Sequence, residues 1–292
     1  FMIAGERFYP ANAVSFAMIE QRDFYDRYCA HFRKPRPENI GVKDFAVGPV
    51  LCRHYAPKQP KDLPVMLYLH GGGFVLGGLE SHDDVCAEIS DRAGIAVVGV
   101  NYRLAPEHPF PAAFDDAWAV LHHLSGQHDR IIVGGDSAGG NLSAAIALKA
   151  RDEGGPSLAG QVLIYPGLGG DVTKGSYVSQ ANAPGHATRD VLYYRDVYNG
   201  GSHKYAEPLR ETNYDGLPPA FIVAAGLDPL CDDSEAYAAR LRAANVPAKV
   251  RHEPLLVHAF LRARHMSRPA RESFSAIVDA ACQLAHHGKL PD

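Results

Sequence analysis

Ser137 lies inside RIIVGGDSAGGNLSAAIALKARD (130–152), where an apolar run gives way to glycines and then to a helix-like pattern. Two glycines stand on each side of Asp136, Ser137 and Ala138. Glycines at a strand-to-helix turn permit backbone conformations and close approaches that a Cβ forbids. A serine held at the tip of such a turn has its hydroxyl pushed out for attack. The helix N-terminus behind it favours negative charge. GDSAG fits G-x-S-x-G in the strand–turn–helix context that a nucleophile elbow requires. A phosphate cradle would also use glycines here, but no lysine follows as in a P-loop and G-x-G-x-x-G is not present at this turn.

A serine nucleophile needs a base, and the base needs a group to orient it. The chain has 15 histidines, so position must select among them. His122, His123, His286 and His287 fall in helical patterns, and His252 falls in a strand. His258 follows the strand-like AKVRHEP and precedes the last helix, which puts it at the carboxyl edge of the strands, where sites form in open α/β sheets. Asp228 directly follows AFIVAAGL in the same way. Asp232 and Asp233 are expected to serve as N-terminal acids of the next helix. A tetrahedral intermediate also needs donors for its oxygen. LYLHGGGFVLGG supplies them, with Gly71, Gly72 and Gly73 following an apolar strand and the N–H of Ala138 completing the set. The chain order is then Ser137, Asp228, His258.

Around these residues, apolar strand patterns alternate with amphipathic helices, which implies a mostly parallel α/β sheet covered on both faces. DFAVGPVLCRHYAP reads as strand, Ala11 to Phe32 as an N-terminal helix, and Pro269 to His286 as a closing helix. The alternation fails between Leu168 and Leu217, where the chain is rich in Gly, Tyr, Asn and charge, with one helical pattern near Asp190 to Tyr198. An insertion of that length reads as a lid or binding segment. The expected division is 1–45 as the N-terminal part of a cap, 46–168 and 217–292 as the core, and 169–216 as the cap insertion.

With 292 residues and 46% hydrophobic residues, the chain can bury a large interior. A net charge of −4 gives no field suited to nucleic acid or anionic lipid. Five scattered cysteines without a C-x-x-C pair argue against a disulfide framework or a zinc site. FMIAGERFYP lacks the layout of a secretory signal, and no apolar stretch approaches membrane-spanning length. A cytoplasmic location is expected.

The stretches HGGGF (70–74), VNYRLAPEHPFPAAFDDA (100–117), GGDSAGGN (134–141), IYPG (164–167), GLPPAFIVAAGLDPLCDD (216–233) and VHAF (257–260) closely resemble the hormone-sensitive-lipase family of α/β-hydrolases, in the GDSAG branch of bacterial carboxylesterases. The resemblance implies a Ser137–His258–Asp228 triad and a cofactor-free, metal-free serine esterase for short- to medium-chain esters. It implies an oxyanion hole from the backbone of Gly72, Gly73 and Ala138, with His70 bracing that loop, and Arg103 and Glu107 in ion pairs. A homodimer is a further expectation. Amidase or acyltransferase chemistry could use the same machinery, and a binding-only relative could keep the pocket. Two departures from the family pattern flank the site: Phe74 stands where Trp is frequent, and Ala259 where Gly commonly follows the histidine. Phe16, Phe24, Tyr177, Tyr193, Tyr194 and Tyr198 are expected to pack the cap for the most part.

Overall fold

The computed structural model describes residues 2–59 and 62–292. Eight strands form one sheet in the order β1-β2-β4-β3-β5-β6-β7-β8. They are β1 (Ile40–Val47), β2 (Val50–Pro57), β3 (Val65–Leu69), β4 (Ala96–Val100), β5 (Ile131–Asp136), β6 (Gly160–Ile164), β7 (Ala220–Leu227) and β8 (Ala248–Val257). From β4 to β8 all neighbours are parallel, while β1 and β2 add an antiparallel edge. The fold is the expected α/β-hydrolase arrangement.

The continuous apolar runs have a simple cause. Both faces of the central strands are covered, so both sets of alternating side chains are buried. On β3, Met66 and Tyr68 face the helices Asp83–Ala93 and Arg268–His287. Val65, Leu67 and Leu69 face the opposite layer, helices Ala112–Ser125 and Ala138–Asp152. A third cluster seats helix Cys231–Ala243 beside β6 and β7 through Leu163, Ile222, Tyr237 and Leu241.

Some boundaries differ from the sequence-based expectation. DFAVGPVLCRHYAP is a hairpin: β1 and β2 pair through Val47 and Val50, and Gly48 takes a left-handed φ of 56° in the turn. β1 begins at Ile40, so residues 40–45, placed with the cap above, belong to the sheet. The N-terminal helix starts only at Met18, after a short 3-10 turn at Ala13–Ser15. The insertion carries a turn of helix at Ser176–Ser179, a longer helix at Thr188–Tyr198 and a 3-10 turn at Pro208–Arg210. It is tied to the N-terminal region by Gln21 Nε2 donating to Tyr193 Oη and by a bond between the Tyr9 and Tyr194 hydroxyls, both at 2.9 Å. Arg103 pairs with Asp116 at 2.8 Å and Glu107 with Arg22 at 2.6 Å. The five cysteines are all unpaired. Among the described residues no helix is long and apolar enough to cross a membrane.

Candidate active site

Three strand ends place the three side chains singled out above. β5 ends at Asp136, and Ser137 follows at φ 55°, ψ −118°, a backbone conformation that costs a non-glycine residue on the order of 1–3 kcal/mol. The turn is held because Ser137 N–H donates to Ile164 O at 2.9 Å and the helix Ala138–Asp152 starts at once. A Cβ at Gly135 or Gly139 would collide with Leu69 O. Gly139→Ala should therefore destabilise the fold by about 1–3 kcal/mol, read as a lower urea midpoint. An unchanged midpoint would show that the approach is looser than described.

β7 ends at Leu227, which delivers Asp228, and β8 ends at Val257, which delivers His258. His258 Nε2 lies 2.9 Å from Ser137 Oγ, and its Nδ1 lies 2.6 Å from Asp228 Oδ2. A carboxylate only accepts, so the proton sits on Nδ1 and Nε2 is left to accept from the serine hydroxyl. Asp228 is fully buried. Burial pushes its carboxyl up, but the electrostatic pull of the facing His258 ring and the hydrogen bonds from His186 and His258 outweigh it and hold the group well below the usual carboxylate range. Leu230 N–H adds a further donor to Oδ1 at 3.1 Å.

The glycine loop after β3 is anchored from below. His70 Nδ1 donates to Gly71 O at 2.8 Å, its ring stacks on Tyr102 at 4.1 Å, and burial beside His82 pushes its pKa down to about 3. It is a neutral brace. Gly71 is a correction to the expected donor set: its N–H is already given to Asp136 Oδ1 at 3.0 Å. That carboxylate also accepts from Tyr68 Oη at 2.8 Å and lies 3.2 Å from His82 Nε2. Gly72 and Gly73 instead border the cavity at Ser137, both with left-handed φ. Their lack of a Cβ is required, since one at Gly73 would strike the ring of Tyr194.

The two departures noted in the sequence have simple consequences. Phe74 stacks on Tyr198 at 3.7 Å, and Ala259 adopts a φ of 58°, the conformation for which glycine is the easier residue. Asp232 and Asp233 stand in the first turn of helix Cys231–Ala243, as expected of N-terminal acids, but the N-cap residue Leu230 supplies no side-chain cap. Asp232 Oδ2 accepts from Ser176 N, and Asp233 Oδ2 from Leu168 N and Tyr177 Oη, so both tie the insertion to the core. Of the six aromatics, Tyr177 and Tyr198 are buried, Phe16 packs edge-on against Phe24, and Tyr194 borders both cavities at the serine.

Two residues escaped sequence reasoning. Asp136 sits inside the GDSAG motif and could have been suspected as an anchor. His186 gave no signal, being one histidine in a loop of the insertion. It stacks on His258 at 4.0 Å, and its Nδ1 donates to Asp228 Oδ1 at 3.3 Å. Burial and the neighbouring His258 lower its pKa, so it is neutral. His186, Asp228 and His258 also form the only metal-type cluster among the described residues, with ligand atoms within 4.8 Å of one another. Each Nδ1 is aimed at a carboxylate oxygen, so the trio is a hydrogen-bonded set. A donor on Oδ1 draws negative charge away from the oxygen that would hold a protonated His258. In His186→Phe the acid limb of kcat/KM should therefore move to higher pH by about half a unit or more, from the loss of one charge-assisted bond. A limb that stays put or moves down would remove this role.

A parallel hydrolase sheet with a serine, histidine and aspartate meeting at its carboxyl edge defines a class, and comparison with known proteins defines the family. The family described as having the α/β-hydrolase fold matches residues 66–262, and the chain belongs to it, in the hormone-sensitive-lipase-like branch. It is 38% identical over 275 residues to esterase LipI of Mycobacterium tuberculosis, covering 88% of this chain and 82% of that one. It is 42% identical over 252 residues to carboxylesterase NlhH of the same species, covering 81% and 75%. A solved bacterial heroin esterase superimposes with a TM-score of 0.90 at 30% identity, covering 98% of this chain and 97% of that chain.

Proposed function

We propose that the protein is a serine carboxylesterase acting on short- to medium-chain carboxylic esters through an acyl-enzyme. One observation carries the reading: His258 reaches Ser137 Oγ through Nε2 and Asp228 through Nδ1, at the floor of an open cavity. Ser137 Oγ attacks the ester carbonyl as His258 Nε2 takes its proton. The oxyanion rests on the backbone N–H groups of Gly72, Gly73 and Ala138, and Asp228 stabilises the imidazolium. Nε2 then protonates the leaving alcohol. A water, deprotonated by the same nitrogen, releases the acid and restores the serine. No cofactor or metal enters these steps. Relatives named as esterases and carboxylesterases support the reaction class.

We further propose that residues 2–39 and 169–216 act as the cap over the site, and that the protein works in the cytoplasm, as unpaired cysteines suit, acting as a homodimer. Light scattering tests the last point.

The reaction is tested by mixing purified protein with p-nitrophenyl esters of increasing acyl length and with the matching anilides. The expected result is a burst of one product per chain and strong preference for the esters. Faster cleavage of the anilides would point to an amidase. Transfer to added alcohols at the expense of hydrolysis would point to an acyltransferase. Failure of an organophosphate to label Ser137 would leave only ligand binding.

A further inference from the structure

We propose that the cavity on the His258 side of Ser137 selects esters whose alcohol half is cationic, carrying a protonated amine or a quaternary ammonium. The inference deepens the esterase reading, and its kinetic part rests on it. Two cavities meet at Ser137. One, of about 320 Å³, is walled by His258 and Ala259. The other, of about 380 Å³, is walled by Ala138 and Asn141 and does not touch His258. The leaving oxygen must reach His258 Nε2 to be protonated, so the alcohol half belongs in the first cavity and the acyl half in the second.

The first cavity has the chemistry of a cation site. Tyr9, Tyr25, Tyr28 and Tyr194 contribute to its wall. Three of these rings form a cluster, with centroids 6.1 Å (Tyr9–Tyr25), 6.2 Å (Tyr9–Tyr28) and 6.3 Å (Tyr25–Tyr28) apart. Ring faces attract a cation that has lost its water, and quaternary ammonium groups are held this way. Asp190 adds a carboxyl group to the wall. Its Oδ2 accepts from Ala187 N at 2.8 Å, whereas Oδ1 is buried with no hydrogen-bond partner. The Asp190 charge acts on Tyr9, Tyr194 and His186, all of which border the same space.

Arg189 is the sole lysine or arginine among the described wall residues. Its Nε forms a long ion pair with Asp190 Oδ1 at 3.7 Å, beyond hydrogen-bonding reach, and with its side chain 63% exposed this pair is one that water screens and a bound cation can replace. His186 is kept neutral by burial. A carboxylate on the wall favours a cationic head over a plain alkyl group of the same shape through its charge.

The test compares acetylcholine with 3,3-dimethylbutyl acetate, which share acyl group and shape and differ in charge. The expected kcat/KM ratio favours the cation by about tenfold or more. Asp190→Asn keeps an oxygen for Ala187 N while removing the charge, and should abolish most of that ratio. Calorimetry on the Ser137→Ala protein supplies a readout free of turnover, in which choline should bind more tightly than 3,3-dimethylbutanol and lose that advantage in Ser137→Ala/Asp190→Asn. A ratio near one, a ratio unmoved in Asp190→Asn, or faster cleavage of glyceryl acetate than of acetylcholine would each overturn the proposal. If neither ester is cleaved while choline still binds in an Asp190-dependent way, the cation site stands and the esterase reading falls. If the neutral ester is cleaved and choline shows no preference, the reverse holds.

Discussion

Ser137→Ala is expected to lower kcat on a p-nitrophenyl ester by about a million-fold, the scale of removing a serine nucleophile from such a unit. The geometry leaves no substitute. His258 Nε2 has Ser137 Oγ as its hydrogen-bond partner at 2.9 Å. The variant should retain its helical circular dichroism and a melting transition close to wild type, because the hydroxyl makes no bond that holds the turn. The turn itself is fixed by Ser137 N–H on Ile164 O and by the glycine contacts around it. Stoichiometric organophosphate labelling should disappear together with turnover. If the alanine variant kept about a tenth of wild-type activity, against the losses expected for triad members, the nucleophile would have to be sought elsewhere.

Asp228→Asn carries the second-largest expected effect, a fall in kcat of about ten-thousand-fold. The amide can present an N–H to His258 Nδ1, which moves the imidazole proton to Nε2, where it blocks acceptance of the serine proton. The native carboxyl is held well below its usual range, so it is ionised at every working pH. A depressed carboxyl contributes stability that is complete above the unfolded value of about 4 and is lost only as pH falls below it. Three donors converge on Asp228, from His186, Leu230 and His258, so the asparagine variant should also melt lower at neutral pH. Asp232→Asn is the matched control, since Asp232 bonds Ser176 N at 2.8 Å and not His258. It should stay within a few-fold of wild type. Comparable losses in both variants would show that general damage to this loop, and not the orientation of His258, sets the rate.

The amino-acid order alone determined what depends on periodicity and on steric necessity. Buried parallel strands must be apolar on both faces, so VMLYL and AVVGV could be placed without coordinates. The turn at Ser137 admits only glycine at Gly135 and Gly139, so its sharpness was legible as well. Asp228 and His258 were legible by the same logic, because each directly follows a strand whose carboxyl end must lie at one edge of the sheet. The edge hairpin was missed since a two-residue turn at Gly48 and Pro49 barely interrupts the strand pattern.

What only the tertiary structure decided are contacts between segments with no common period. The N–H of Gly71 looks like that of its neighbours until Asp136 is seen to hold it. Asp232 and Asp233 are first-turn acids of their helix, but that their oxygens accept from Ser176 and Gly170 N–H groups is decided only when the insertion folds back. His186 stands 42 residues before Asp228 in a loop with no repeating pattern, and its bond to that carboxylate exists only because the insertion closes over the sheet. Local sequence encodes strands, turns and their ends through backbone sterics and burial. Which loop lies over which strand end is set by packing across the whole fold.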